Sequence, residues 1–219
     1  MFIDVQVEHI KKVKNELSNI LDRKSFDSHT SSADFSYRSF IKHPMSLGVL
    51  KGSFVSGGCI GALLRGEAPN DIDIWQSTNP GATYVSEWAK LNEEYVQDID
   101  DAYKDDATVK VNGKLITAQA VTLRPFVYRS DLYNLLPQRS TKLQLITKWY
   151  GTPDEVRKEF DYIHCTPYYD VDNDKLYISE LAYAACLNKK LIVNNEKSAS
   201  HTSMHKRRKE KLISQGFTV

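Results

Sequence analysis

Hydrophobic and polar residues alternate along this chain with two periods, and the switches between them divide it into elements. Over residues 5–22, Ile10, Val13, Leu17, Ile20 and Leu21 recur every three or four positions, with Lys11, Lys12, Lys14 and Glu16 opposite. This spacing predicts an amphipathic helix packed on a sheet. Residues 25–39 are rich in Ser, Asp and aromatic residues without a period, which reads as a loop with short helical turns. Order resumes over 37–50 and leads into a first core strand ending at Val55. A glycine turn, a short helix over 59–64, a loop and a second strand over 71–75 follow.

Further on, a turn at 77–81 precedes a predicted helix over 82–95, with Val85, Trp88, Ala89 and Leu91 apolar. The five aspartates between 97 and 106 read as a solvated loop. Asn112-Gly113 marks a hairpin across 109–116, because that dipeptide accepts the positive φ angles of a tight turn, and 117–123 extends its second arm. Residues 142–150 read as a buried strand through Leu143, Leu145, Ile146 and Trp149. Thr152, Pro153 and Glu155 spell a capped helix start, with the helix running to about Glu159. A strand over 160–165, a short strand over 175–178 and a helix from Ser179 to Asn188 burying Leu181, Ala184, Ala185 and Leu187 complete the pattern. The alternation predicts an α+β fold: a mixed β-sheet flanked by helices.

Composition narrows the picture only slightly. With 219 residues, 41% hydrophobic and 26% charged, the chain suits one domain of 1–219. That domain divides into an N-terminal helical segment (1–50), a core (51–188) and a basic C-terminal segment (189–219). A net charge of +1 makes no global case for nucleic acid, so any such contact must be local. Three separated cysteines form no metal or disulfide pattern, which fits a reducing cytoplasm. No run is long and apolar enough to span a bilayer, and the first residues lack a signal-peptide pattern. A cytoplasmic protein is expected.

The chemistry concentrates between Phe54 and Trp75. Asp71 and Asp73 are two apart on a strand, so both carboxylates share one face while Ile72 and Ile74 point to the core. Paired carboxylates repel, and hard oxygen ligands of this kind suit Mg²⁺ or Mn²⁺. Gly57 and Gly58 allow a sharp turn and close approach, and the helix that follows offers free N–H groups to a phosphate.

Gly57-Gly58, a twelve-residue spacer and Asp71-Ile72-Asp73 resemble the signature of the DNA polymerase β-type nucleotidyltransferase superfamily. Residues 142–147, the run Phe160-Asp161-Tyr162-Ile163-His164-Cys165 and the closing Gly216-Phe217 resemble predicted nucleotidyltransferases of bacteriophages. The resemblance implies a nucleotidyltransferase-like sheet and two divalent ions held by Asp71, Asp73 and a third acid from a neighbouring strand. Asp161, inside an apolar run, is that candidate, with Asp170 and Glu180 in reserve. The alternative for Asp161 is a salt bridge to Arg or Lys.

Gly57, Gly58 and Ser56 would hold the β- and γ-phosphates of an NTP. The superfamily often has serine where Gly58 stands, so a hydroxyl contact falls to Ser56. Lys206, Arg207 and Arg208, in the basic run 205–211, are candidates for the triphosphate or for an RNA or tRNA acceptor; the alternative is a solvated run. Lys142 and Arg124 are weaker candidates. His164 reads as a hydrogen-bonded structural histidine and Cys165 as a core residue without a nearby cation. The expected activity is transfer of NMP from an NTP to a hydroxyl of RNA, protein or a small molecule, releasing pyrophosphate. The rivals are a nucleotide- or RNA-binding protein without turnover, and an antitoxin or counter-defence partner acting through protein contacts.

Overall fold

The strand carrying Asp71 and Asp73 lies inside a seven-stranded mixed sheet, flanked by neighbours on both sides. The computed structural model describes residues 2–22, 52–79, 108–111, 114–117, 120–122, 126–128, 139–196 and 203–219. The expected loop at 25–39, the helix at 82–95, the acidic stretch at 97–106, the Asn112-Gly113 turn and Arg124 lie outside them.

In chain order the elements are α1 (Phe2–Asp22), β1 (Ser53–Ser56), α2 (Gly58–Leu64), β2 (Asp71–Gln76), β3 (Thr108–Val111), β4 (Lys114–Thr117), β5 (Ala120–Thr122), β6 (Phe126–Tyr128) and β7 (Arg139–Ile146). There follow α3 (Pro153–Lys158), a 3₁₀ turn (Ile163–Cys165), β8 (Tyr168–Asp170), β9 (Lys175–Tyr177), α4 (Glu180–Leu187) and α5 (Ser203–Ser214). The sheet order is β5-β7-β2-β1-β8-β9, with β6 also on β7 and the hairpin β3-β4 separate. β2 runs parallel to β7 and antiparallel to β1, which makes the sheet mixed.

Register fixes which residues share a face. Val55, Ile74 and Tyr169 are cross-strand partners and, with Ile72, are almost wholly buried. On the other face Ser56, Asp73 and Tyr168 lie in one row across β1, β2 and β8, with Gln144 beside Asp73 on β7. Helix α1 packs on α2 and β9, sealing Val13 and Leu17, whose burial contributes about 1.5–3 kcal/mol each. It begins at Phe2, three residues before the periodicity predicts.

Three expectations need correction. Trp149 is 52% exposed, because β7 ends at Ile146 and the chain turns away before it. Residues 160–165 form no strand: Tyr162 makes an isolated bridge to Val193 and a 3₁₀ turn follows. Helix α4 buries Ala182, Tyr183, Ala185 and Cys186, whereas Leu181, Ala184 and Leu187 face outward. The small residues there allow close packing on the 3₁₀ turn and α2, which outweighs the larger leucines. The expected capping box at Thr152 and Glu155 is present in both directions.

Candidate functional site

β2 alternates partly exposed and buried positions, so Asp71 and Asp73 emerge side by side while Ile72 and Ile74 enter the core. The start of β2 is clamped to β7: Lys142 N–H donates to Asn70 O (2.9 Å) and Thr141 Oγ1 to Pro69 O (2.6 Å). Asp73 Oδ1 is sealed from solvent and has no hydrogen-bond partner among the described residues. Burial, and then the charge of Asp71, push the Asp73 carboxyl up to about 7, while Arg208 pulls the other way. An orphaned, buried oxygen beside a second carboxylate is a donor pair that fits a divalent cation.

The glycine bend supports this pair sterically. Gly57 has φ +107°, and its N–H donates to Cys165 O at 3.2 Å. A Cβ there would meet Asp73 Oδ2 at 3.2 Å, so glycine is required both for the backbone and for room beside the carboxylate. Gly58 is exposed, with nothing within 4 Å of an added Cβ. Ser56 is buried; its Oγ donates to Pro167 O at 2.8 Å, with Cys165 O at 3.3 Å. That hydroxyl donates to the backbone at and just beyond the 3₁₀ turn.

A cavity of about 700 Å³ opens beside these residues. Asp71 and Asp73 form its acidic wall, and Arg208 and Lys211 of α5, with Leu212, line it as a basic wall. The C-terminal helix therefore lies against the site. It is held there by a Schellman ending: Gly216 adopts φ +88°, Gly216 N–H donates to Ile213 O (2.9 Å) and Phe217 N–H to Leu212 O (3.1 Å). Phe217 then packs with Tyr162 and Leu191, with Leu212 against them.

Two further helices end at this cavity in the same way. Gly66 (φ +71°) closes α2 and Lys189 (φ +48°) closes α4, with Glu67 N–H to Ala62 O (2.9 Å) and Lys190 N–H to Ala185 O (3.0 Å). Cations compensate the converging carbonyl ends. Arg65 Nη1 donates to Cys186 O (2.9 Å), and Lys189 Nζ to Gln215 O (3.1 Å). Both also bind Glu67, each at 2.9 Å.

Asp161 is 3% exposed and lies in a bend, not on a strand. Its Oδ1 accepts from Tyr162 N–H (3.1 Å), and its Oδ2 is 3.1 Å from Arg208 Nε. The structure thus pairs this acid with an arginine of α5. Among the described residues no group of three His, Cys, Asp or Glu is placed to hold a metal. Register gives the reason: beside Asp71 and Asp73, β7 presents Lys142 and Gln144, and beside Asp73, β1 presents Ser56. The reserves are remote in role as well. Asp170 accepts from Asn173 N–H and Nδ2 in the β8–β9 turn, and Glu180 is an exposed first residue of α4.

The Gabija anti-defense 2 family protein model (Gad2) matches residues 21–189, most of the chain. The chain belongs to this family. Solved structures of related shape include the Bacillus stearothermophilus CCA-adding enzyme in complex with CTP, at 15% identity over 82% of this chain and 38% of that one, TM-score 0.45. The Thermotoga maritima CCA-adding enzyme complexed with tRNA matches at 15% identity over 81% of this chain and 39% of that one, TM-score 0.44. The chain thus spans about two fifths of the length of those enzymes. No curated protein matches.

Within this Gad2 chain, several candidates part company. Arg208 and Lys211 line the cavity, while Lys206 and Arg207 are exposed and are not among its lining residues. Helical spacing carried that signal: 208, 211 and 212 fall on one face of α5. His164 is buried against Phe217 (ring centroids 4.6 Å) and Tyr162 (5.8 Å), and its Nδ1 has no hydrogen-bond partner among the described residues. Burial, with Arg208 and Arg65, pushes it down to about 4, so it is neutral at pH 7. Cys165 does have a cation nearby in space, Arg208 Nη2 at 3.5 Å, yet burial holds its thiol up at about 11. No helix among the described residues is long and apolar enough to cross a membrane.

Proposed function

We propose that this Gad2 protein is a metal-dependent nucleotidyltransferase serving counter-defence, moving NMP from an NTP to a hydroxyl and releasing pyrophosphate. The observation that carries the reading is the Asp71–Asp73 pair, with one sealed oxygen that has no partner among the described residues, on the wall of a nucleotide-sized cavity. Asp71 and Asp73 would hold Mg²⁺ or Mn²⁺. Bound there, the ion would supply positive charge to the attacking hydroxyl and the departing pyrophosphate. Arg208 and Lys211 would bring positive charge to the same cavity, where phosphate oxygens would otherwise meet the acids unscreened. Gly57 leaves space beside Asp73 for a ligand to approach. His164, neutral and buried, takes no proton from the acceptor.

A second reading has its own support: no third carboxylate joins the pair among the described residues. It is a nucleotide- or RNA-binding counter-defence protein without turnover. Incubation with each labelled NTP and Mg²⁺, alone and with total RNA, separates the two. Transfer or pyrophosphate release that disappears in Asp71→Ala and Asp73→Ala is the expected result. Binding of an NTP with no label transferred and no pyrophosphate in any mixture would replace the first reading with the second.

A further inference from the structure

We propose that Arg208 is the residue of this cavity that receives a polyphosphate chain, and that Asp161 is its positioning residue. The inference deepens the nucleotide reading above and rests on it. Among the described residues six cations lie on or near the site, and their commitments differ. Arg65 and Lys189 are tied to Glu67 and to the carbonyl ends of α4 and α5. Lys206 and Arg207 do not line the cavity. Lys211 lines it from an exposed position.

Arg208 alone of these is gripped from behind by a buried carboxylate while it lines the cavity. Its Nε meets Asp161 Oδ2 at 3.1 Å and its Nη2 meets Cys165 Sγ at 3.5 Å, yet its side chain keeps 48% of its exposure. A guanidinium has five N–H donors in a fixed fork, so the atoms that serve Asp161 leave others to grip phosphate oxygens.

The grip itself is stiff. Asp161 O accepts from Asn194 N–H (2.8 Å), and Asn194 Nδ2 donates to Phe160 O (2.8 Å) and Arg157 O (2.9 Å), which fixes the bend. From the other side, the Schellman ending of α5 and the Phe217 cluster fix the helix that carries Arg208. A buried carboxylate ion-paired to the guanidinium, with both backbones pinned, restrains its orientation. This accounts for a buried Asp161 without a metal, and for the anchoring of a basic helix that a solvated charge run would not need.

The test is a double-mutant cycle read by calorimetry with inorganic tripolyphosphate and with ATP. Arg208→Ala is expected to weaken tripolyphosphate binding about 10- to 100-fold, as loss of charge-assisted hydrogen bonds does. Arg208→Lys keeps the charge but not the fork and should recover only part of that loss. Asp161→Asn should weaken binding at least about threefold in the wild-type background and not at all in the Arg208→Ala background. Mn²⁺ binding should survive in Asp161→Asn.

Additive losses, full recovery by Arg208→Lys, loss of Mn²⁺ binding in Asp161→Asn, or a wild type that ignores tripolyphosphate would each overturn the proposal. Should Asp161→Asn fail to fold, the Arg208→Ala and Arg208→Lys pair decides alone. A wild type that binds tripolyphosphate and shows the coupling, yet transfers no nucleotide, would end the transfer reading and leave this one standing.

Discussion

The two walls of the cavity are built on opposite principles. The acidic wall is local: strand, glycine bend, helix and strand follow one another within 53–76, and the strand period alone brings Asp71 and Asp73 together. The basic wall is remote: Arg208 reaches the same space from a helix near the chain's end, through a Schellman turn, an aromatic cluster and one ion pair. A site of this kind keeps its candidate carboxylates on a strand inside the sheet. It hands their electrostatic control to an element that the rest of the chain must hold in place.

The sharpest way to break the comparison is to remove the acidic wall. Asp73→Asn should lower nucleotide transfer by at least about a hundredfold, since metal charge stabilisation amounts to several kcal/mol. The same change should raise stability. The Asp73 carboxyl is pushed up from 3.8 to about 7, so between those values the folded state binds a proton that the unfolded state has released. The stability it contributes is therefore full below about pH 4 and is lost as pH rises through 7, on the order of 4 kcal/mol in the limit. Chemical denaturation across pH 4–8 should show the stability of the variant relative to the wild type growing as pH rises, and saturating Mn²⁺ should remove that difference.

His164 gives the next largest effect, with the opposite sign. It is pushed down from 6.5 to about 4, so the unfolded state binds the proton first. Stability falls as pH drops through that interval, by about 3 kcal/mol at the limit. His164→Gln should flatten this acid limb. The two groups offset one another between pH 4 and 6.5, so wild type should look flatter there than either single variant.

Adjacent glycines sharpen the contrast between geometry and mere turn-forming. Gly57→Ala meets both a positive φ and Asp73 Oδ2, and should cost about 1–3 kcal/mol in denaturant titration. Gly58→Ala enters open space at the start of α2 and should stabilise by about 0.5–1 kcal/mol. On the basic wall, Gly216→Ala should cost about 1 kcal/mol and increase hydrogen exchange across α5.

This division also explains what could be read from the chain. β1, α2 and β2 are set by patterns within a few residues, so the acid pair, the bend and the alternating burial were legible. The capping box at Thr152 was as well, because its two hydrogen bonds span three residues. The face of α4 was misread, since its burial is decided by close packing of alanines rather than by leucine content. Asp161 was assigned to a strand because its apolar neighbours resemble strand residues, and it lies in a bend. The arginine it meets, Arg208, is 47 residues away, and no local period reports such a contact. The same reason hid the cation beside Cys165.

The account stands on the claim that Asp71 and Asp73 form a divalent-cation site. Calorimetric titration of the full chain with Mn²⁺, beside Asp71→Asn and Asp73→Asn, tests it most directly. The account predicts saturable Mn²⁺ binding in the wild type that is lost in each variant while thermal unfolding stays cooperative. A wild type that binds no Mn²⁺, or variants that bind it equally well, would contradict it.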